Sequence, residues 1–204
     1  MKMSAVILAG GKSSRMGQDK AFLKIGNRTI VEYQLQRLNP LFEELLLSTN
    51  LPEKFAHLGL ETVQDFIPDR GPLVGIYSSL LKARYSHLFA IACDMPFISP
   101  GLITYMKEDC KDYDVTVPET ERGLEPLHAI YSKTCLPAMK EYVGKKDGKE
   151  PALSGAKGRV IEFFPQVKVR VVTKEEISRI PGGNEAFLNF NTMEEYRKQV
   201  DRKQ

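Results

Sequence analysis

Residues 5–20 have the sequence AVILAGGKSSRMGQDK. The stretch begins with an apolar run, Ala5–Leu8, which is typical of a buried parallel strand. Two adjacent glycines follow at once, and they let the backbone approach a ligand closely and point successive N–H groups at an anion. Arg15 and Lys20 add two cations to the same loop. We therefore predict a phosphate-binding loop at the carboxyl end of the first strand.

Two better-known phosphate-binding motifs are excluded by their spacing. The Walker A motif needs a glycine at position 6, where Val6 stands, and the loop lacks the GxGxxG pattern of dinucleotide-binding folds. A short glycine-rich motif is weak by itself, and a turn with solvated charges is the alternative interpretation. The other segments of the chain therefore decide between the two.

Apolar stretches of strand length alternate with helical patterns along the chain. Strands are predicted at Ala5–Leu8, Glu44–Ser48, Leu88–Ala92, Val115–Val117, Pro126–Ser132 and Val167–Val172. Helices are predicted from Thr29 with Glu32 as a capping box, over about 73–84, from Ser99 with Pro100 at the first position, and from Thr192 with Glu195. This alternation predicts an α/β fold with helices layered on a sheet.

The sheet is predicted to be mixed but mostly parallel. Val167–Val172 alternates with charged residues, as a half-exposed edge strand does, whereas the earlier strands read as continuous apolar runs. The chain shows no repeat and no linker that would divide it. We expect one three-layer, Rossmann-like domain over residues 1–204.

Composition favours a soluble globular protein, because 42% of the residues are hydrophobic and 27% are charged. The net charge of +3 is small and the basic residues are scattered, so no nucleic-acid partner is expected. The first apolar run is too short for a signal peptide core or a membrane span. Three widely spaced cysteines fit neither a full set of disulfides nor a zinc motif. These features predict a cytoplasmic protein without a membrane partner.

Asp94 is the candidate metal ligand. It follows the predicted strand Leu88–Ala92, and ligands bind at the carboxyl ends of strands in open α/β sheets. An unpaired buried carboxylate is costly, whereas Mg²⁺ prefers a carboxylate together with phosphate oxygens. The alternative role is a helix cap or a turn-forming aspartate.

Three further segments of the sequence contain weaker candidates. Asp65 or Asp69 lies in a loop that joins a short strand to a helix, where either could meet a ribose hydroxyl or a base edge. Asn189 and Asn191 lie two residues apart, hence on one face if the segment is extended, although Asn191 can also act as a helix cap. His128 stands in an apolar strand and is predicted to be packed or hydrogen-bonded rather than catalytic.

Together these segments resemble the sugar-nucleotide and cofactor nucleotidyltransferases, whose loop pattern LAGGxSxRMGxDK matches residues 8–20. Within that superfamily the chain is most similar to the MobA family of molybdenum cofactor guanylyltransferases, because residues 71–76, 93–97, 125–127 and 189–192 fall in the family's order. The resemblance covers nearly the whole chain. Two positions depart from it: Met193 replaces a proline of many members, and Ser48 replaces an asparagine that contacts the nucleotide in some, with Asn50 two residues on.

The resemblance implies transfer of GMP from GTP to molybdopterin, with or without bound molybdenum, and release of pyrophosphate. Mg²⁺ is the implied cofactor, with Asp94 as its ligand, and molybdoenzymes or their chaperones are the expected further partners. Residues 1–110 would bind GTP and residues 111–204 the acceptor. The expected catalytic residues are Arg15, Lys20 and Asp94, and the expected GTP contacts are Leu8, Ala9, Gly10, Gly11, Lys20, Asp65 and Asp94.

Two other functions stay open at this point. The loop also suits a cytidylyl- or uridylyltransferase that acts on another cofactor or on a sugar phosphate. A nucleotide-binding partner protein without catalysis is the second alternative. Retention of Arg15, Lys20 and Asp94 together argues against it, because a protein that had lost turnover would be expected to lose one of these residues first.

Overall fold

The structure, a computed structural model, describes residues 1–10, 20–67, 71–143, 160–189 and 194–197. Its strands are β1 Ser4–Leu8, β2 Lys24–Ile25, β3 Arg28–Thr29, β4 Glu44–Ser48, β5 Glu61–Val63, β6 His87–Ala92, β7 Val115–Thr120, β8 Gly123–Leu124, β9 His128–Ser132 and β10 Val169–Val172. Its helices are α1 Ile30–Leu38, α2 Pro72–Lys82, α3 Pro100–Asp109, α4 Leu136–Val143 and α5 Lys174–Ser178. Across the described ranges, no helix combines the length and the apolar character needed to cross a membrane.

The main sheet has the strand order β10-β7-β9-β6-β1-β4-β5, and β8 pairs with β7 beside it. Strand β1 lies inside the sheet, parallel to both β4 and β6. Strand β5 is parallel to β4 and β10 is parallel to β7, whereas β9 runs antiparallel to β6 and β7. The predicted mixed, mostly parallel sheet is confirmed, and β10 lies at its edge as expected.

Helices cover both faces of the sheet, because successive side chains of each strand point to opposite sides. On β1, Ala5 and Ile7 belong to a buried cluster with residues of α1 and α3. Val6 and Leu8 belong to a second cluster, with residues of α2 and α4. The three-layer arrangement predicted from the sequence therefore follows from the alternation of apolar residues on the strands.

Helices α1 and α3 begin at the capping residues that the sequence predicts. The Thr29 side chain accepts a hydrogen bond from the Glu32 amide, and the Glu32 carboxylate accepts one from the Thr29 amide at 2.7 Å, which completes the capping box of α1. Ser99 caps α3 through one hydrogen bond, which its hydroxyl accepts from the Leu102 amide at 3.3 Å. Thr192 lies outside the described residues, and residues 194–197 are helical.

Two predicted strands begin later than expected, because a turn occupies their first residues. The His128 amide donates to the Glu125 carbonyl at 3.1 Å, so Pro126 belongs to a turn and β9 starts at His128. The Val167 amide donates to the Phe164 carbonyl at 3.2 Å, which closes a 3-10 turn before β10. Helix α2 likewise ends at Lys82, two residues before the predicted end.

The edge strand β10 is held by a polar cluster around Glu176. Arg170 of β10 donates to both carboxylate oxygens of Glu176, to Oε2 at 3.2 Å. The Tyr105 hydroxyl of α3 donates to Glu176 Oε1 at 2.6 Å. Glu176 also completes the capping box of α5 with Thr173. One carboxylate thus connects a strand and two helices.

We expect this cluster to make stability depend on pH in acid. The hydrogen bond from Arg170 lowers the pKa of Glu176 from its ordinary value of 4.5 to about 2. The ionised Glu176 carboxylate therefore stabilises the folded protein fully above its pKa in the unfolded chain. This stabilisation is lost as the pH falls towards its pKa in the folded protein. Glu176→Gln should lower the free energy of unfolding at pH 7 by about 2 kcal/mol, a figure reduced for partial solvent exposure.

Urea unfolding of Glu176→Gln and of wild type at pH 7, 4 and 3 measures this effect. The two proteins should converge in stability as the pH falls. Glu108→Gln is the control, because Glu108 is an exposed glutamate on α3, the helix that carries Tyr105. A difference between wild type and Glu176→Gln that is equally large at pH 7 and pH 3 would contradict the assignment.

Candidate functional site

The candidate site lies where the carboxyl ends of the parallel strands β1, β4, β5 and β6 meet. Leu8, the last residue of β1, is paired with Ser48 of β4 and with Ala92 of β6. Hydrogen bonds continue past the strand ends, from the Ala9 amide to the Ser48 carbonyl at 2.9 Å and from the Cys93 amide to the Leu8 carbonyl at 3.1 Å. The segments that leave these strands therefore emerge side by side at one edge of the sheet.

Lys20 and Asp94 form an ion pair at this edge. Lys20 Nζ lies 3.2 Å from Asp94 Oδ2, although the two residues are 74 positions apart in the sequence. Their side chains are 20% and 25% exposed, so a ligand can reach them while most of each is shielded from water. Two of the three predicted catalytic residues are thus in contact. A cation and a carboxylate side by side suit a phosphate group that carries a metal ion.

The chemistry of Asp94 fits Mg²⁺ delivered with a nucleotide. Within the described residues, no group of three or more His, Cys, Asp or Glu side chains is arranged to hold a metal. Mg²⁺ is commonly bound by one or two carboxylates together with substrate phosphates and water, and it does not need a cage made only of protein ligands. The Asp94 carboxylate already faces a positive charge, the Lys20 ammonium group. The donor set therefore fits a nucleotide-bound Mg²⁺.

Asp65 reaches the same edge and is held there by Asn50. Asn50 Nδ2 donates to Asp65 Oδ2 at 3.2 Å, and the Asp65 amide donates to Asn50 Oδ1 at 3.0 Å. These reciprocal bonds fix both the backbone and the carboxylate of Asp65 relative to the end of β4. In the sequence Asn50 is noted only as the asparagine two residues after Ser48, which is the position that departs from the family pattern, whereas the structure gives Asn50 a positioning role.

Gly75 allows α2 to approach the strand ends closely. A Cβ atom added at Gly75 would lie 2.9 Å from Ser48 Oγ and 3.4 Å from both Asp65 Oδ1 and Leu8 Cδ2. The first contact is shorter than ordinary packing allows. The glycine in the second turn of α2 is therefore required by the closeness of the helix to Ser48.

We expect Gly75→Ala to lower the free energy of unfolding by about 1 kcal/mol in the wild-type background, because steric strain exceeds the gain of about 1 kcal/mol in helix propensity. In a Ser48→Ala background the closest contact is gone, so the same change should be neutral or stabilising. A double-mutant cycle measured by urea unfolding gives the coupling between the two positions. Equal effects of Gly75→Ala in both backgrounds would show that Ser48 does not set the requirement.

Gln34 belongs to the site, and the sequence analysis missed it. The buried face of α1 consists of Ile30, Val31, Gln34 and Leu38, so one amide interrupts an apolar stripe. Gln34 Nε2 donates to the carbonyls of Ala92 at 2.9 Å and Met95 at 3.0 Å, on either side of Asp94. A polar residue within the apolar stripe of an amphipathic helix is the feature that could have revealed it.

His128 is a core residue, as predicted. Its ring is fully buried and makes edge contacts with Phe89 and Phe187, at centroid distances of 5.0 and 5.2 Å. Burial lowers the pKa of His128 to about 3, so the ring is neutral at physiological pH. Neither ring nitrogen has a hydrogen-bond partner among the described residues. His128 therefore supports the segment that leads to Asn189 by packing.

The structure places some of the other predicted residues and leaves some undescribed. Leu8 ends β1, and Ala9 and Gly10 continue from it to the site edge. Asn189 Oδ1 accepts a hydrogen bond from Arg122 Nη1 at 3.5 Å. The predicted site residues that lie outside the described ranges are Gly11, Arg15, Asp69 and Asn191.

Comparison with known proteins identifies the family. A model described as "MobA-like NTP transferase domain" matches residues 5–160. A protein from Pelotomaculum thermopropionicum, named "probable molybdenum cofactor guanylyltransferase", is 39% identical over 192 residues, which cover 94% of this chain and 89% of that protein. A Syntrophotalea carbinolica protein named "molybdenum cofactor guanylyltransferase" is 32% identical over 197 residues, covering 96% and 89%.

A solved structure shares the fold over the same length. Molybdopterin-guanine dinucleotide biosynthesis protein A from Archaeoglobus fulgidus matches with a TM-score of 0.80 at 20% sequence identity, covering 98% of this chain and 100% of that one. At this identity the structural likeness shows a shared fold alone. Membership of the family is shown by the sequence matches. The resemblance inferred from the sequence motifs is confirmed, and the chain belongs to the MobA-like NTP transferase family.

Proposed function

We propose that this protein transfers GMP from GTP to molybdopterin, with or without bound molybdenum, and releases pyrophosphate. The observation that carries the proposal is the contact between Lys20 and Asp94, beside the end of β1 at the carboxyl edge of the sheet. The names of the relatives, which specify a guanylyltransferase of the molybdenum cofactor, supply the nucleotide and the acceptor.

The reaction needs no protein nucleophile. A terminal phosphate oxygen of the acceptor attacks the α-phosphorus of GTP, a new phosphorus–oxygen bond forms, and the bond from the α-phosphorus to the bridging oxygen breaks. Pyrophosphate leaves with the electron pair of that bond. Because the acceptor phosphate is already anionic, the protein contributes mainly positioning and stabilisation of charge.

Each described residue of the site has a distinct task in this reaction. Asp94 would hold Mg²⁺, which would supply positive charge that offsets the charge of the phosphates. Lys20 donates to the phosphate oxygens and offsets the charge that grows on pyrophosphate. Asp65, held by Asn50, accepts hydrogen bonds from the ribose or the base. The backbone of Leu8, Ala9 and Gly10 lies against the nucleotide, and Gly11 and Arg15 extend that contact by resemblance to the family.

We also propose that the two parts of the chain divide the substrates. Residues 1–110 would bind the nucleotide, and residues 111–204 would bind the acceptor. The candidate acceptor residues are the segment Glu125–Tyr131 together with Asn189 and Asn191. Molybdoenzymes or their chaperones would receive the product. The buried free thiols of Cys110 and Cys135 suit a reducing cytoplasm.

Pyrophosphate release with ATP, CTP, GTP and UTP, each with Mg²⁺ and molybdopterin, tests the proposed function. We expect release with GTP and formation of the guanine dinucleotide, detected by mass spectrometry. Release with CTP or UTP in place of GTP would make the protein a transferase of another nucleotide. No release with any nucleotide, combined with GTP binding in calorimetry, would favour a binding protein.

A further inference from the structure

The buried side-chain amide of Gln34 is hydrogen-bonded to the turn that contains Asp94. Gln34 is fully buried in the core face of α1, where an apolar residue would be expected. Its Oε1 atom has no hydrogen-bond partner among the described residues. A buried amide oxygen without a partner destabilises the folded state. The side chain is therefore present for its two donors.

Both donors are used on one turn. The Met95 amide donates to the Ala92 carbonyl at 3.2 Å, which closes a four-residue turn with Cys93 and Asp94 at its centre. Gln34 Nε2 bonds to the carbonyls at the two ends of this turn, at Ala92 and at Met95. A single amide group from α1 thus fixes both ends of the turn.

The turn is tied to β1 at its first half and to α1 at its far end. The Cys93 amide donates to the Leu8 carbonyl, so the first half of the turn is tied to β1. The Met95 carbonyl comes after Asp94, and it accepts a hydrogen bond from Gln34 of α1. A change at Gln34 would therefore remove the hydrogen bond that ties the turn to α1, on the side of Asp94 that β1 does not hold.

We propose that Gln34 is a positioning residue that sets the direction of the Asp94 carboxylate for Mg²⁺. The inference deepens the proposed function and rests on the assignment of Asp94 as the metal ligand. Groups that orient a metal ligand without touching the metal usually change metal affinity or activity about 10- to 100-fold when they are removed. Gln34 acts on Asp94 through the backbone of the turn rather than through the carboxylate.

Two substitutions separate this role from simple packing. Gln34→Met keeps the length of the side chain but removes both donors, and Gln34→Glu replaces the donors by oxygens that face two carbonyls. Gln36→Met is the matched control, because Gln36 is an exposed glutamine on the same helix. Should Gln34→Glu fail to fold, Gln34→Met alone carries the test.

The first measurement is the affinity for Mn²⁺, determined by electron paramagnetic resonance with GTP present and acceptor absent. We expect Gln34→Met to weaken Mn²⁺ binding about 10-fold or more, with Gln36→Met unchanged. The second is hydrogen exchange of the Met95 amide without metal or nucleotide, which should become faster in Gln34→Met. The melting temperature of each variant reports any general loss of stability.

Three outcomes are distinguishable. Weaker Mn²⁺ binding with faster Met95 exchange supports the inference. A lower melting temperature with Mn²⁺ affinity equal to that of Gln36→Met would overturn it and leave Gln34 as a packing residue. If Asp94→Asn binds Mn²⁺ as tightly as wild type does, Asp94 is not the metal ligand, and both the proposed metal site and the role of Gln34 are wrong.

Discussion

Lys20→Met is expected to lower kcat about 100- to 1,000-fold, the usual effect of removing one group that stabilises developing charge. The reason is the place of the ammonium group, 3.2 Å from Asp94 at the edge where phosphates would lie. Charge on pyrophosphate increases as the bond to the α-phosphorus breaks. In the proposed reaction Lys20 would therefore stabilise the transition state more than bound GTP, so the loss should appear in kcat and less in KM.

A loss of folded protein should not account for the lower kcat of Lys20→Met. An ion pair that is partly exposed contributes about 1 kcal/mol or less, so the variant should remain folded. Steady-state kinetics of Lys20→Met and of Lys24→Met, which removes an exposed lysine in β2, give the comparison. A kcat for Lys20→Met equal to that of Lys24→Met would exclude Lys20 from the chemistry.

Lys20→Arg is expected to restore only part of the lost activity. The guanidinium group keeps the charge but is planar and larger, and it binds phosphate through a fork rather than as a point charge. Lys20 begins a short 3-10 helix whose next residue, Ala21, is buried, so the backbone at this position cannot move freely to adapt. Geometry as well as charge should therefore matter at position 20.

Much of the site edge could be predicted because it follows from local patterns. Apolar runs place the ends of β1 and β6, and a residue directly after a parallel strand must emerge at the carboxyl edge. Asp94 follows β6 in this way, and its position needed no knowledge of distant packing. The capping box of Thr29 and Glu32 is equally local, and it fixed the start of α1.

Other features depend on contacts between distant segments or on elements too short to show a period. The direction of β9 is set by its neighbours, β6 and β7, because an apolar strand pattern is the same in either orientation. The strands β2 and β3 have two residues each. Helix α5 has five, although Thr173 and Glu176 carry the same capping pattern as Thr29 and Glu32 and could have been found.

The partners of the site residues were also beyond sequence reasoning. The contact of Lys20 with Asp94 spans 74 positions, and the contacts of Gln34 with the Ala92–Met95 turn span about 60. Such pairs result from how α1 and the loops pack on the sheet, which no local pattern encodes. The sequence therefore supplies candidate side chains, and the fold decides which of them meet.

Asp94→Asn is expected to lower kcat about 1,000-fold or more, because a metal ion supplies several kcal/mol of transition-state stabilisation. Asparagine keeps the shape of the side chain but removes its charge, and a neutral amide is a much weaker ligand for Mg²⁺. The concentration of Mg²⁺ that gives half-maximal activity should rise strongly. GTP binding should persist, because Lys20 loses its carboxylate partner and remains available to phosphate.

The two substitutions should therefore differ in their metal dependence. Lys20→Met removes a cation that competes for Asp94 Oδ2, so it should leave the half-saturating Mg²⁺ concentration unchanged or lower it, whereas Asp94→Asn should raise it. Asp112→Asn, which neutralises an exposed aspartate, controls for the loss of one negative charge. If Asp94→Asn kept the wild-type Mg²⁺ dependence, the carboxylate would act only as the partner of Lys20. In that case Lys20, and not a metal ion, would be the cation that Asp94 binds.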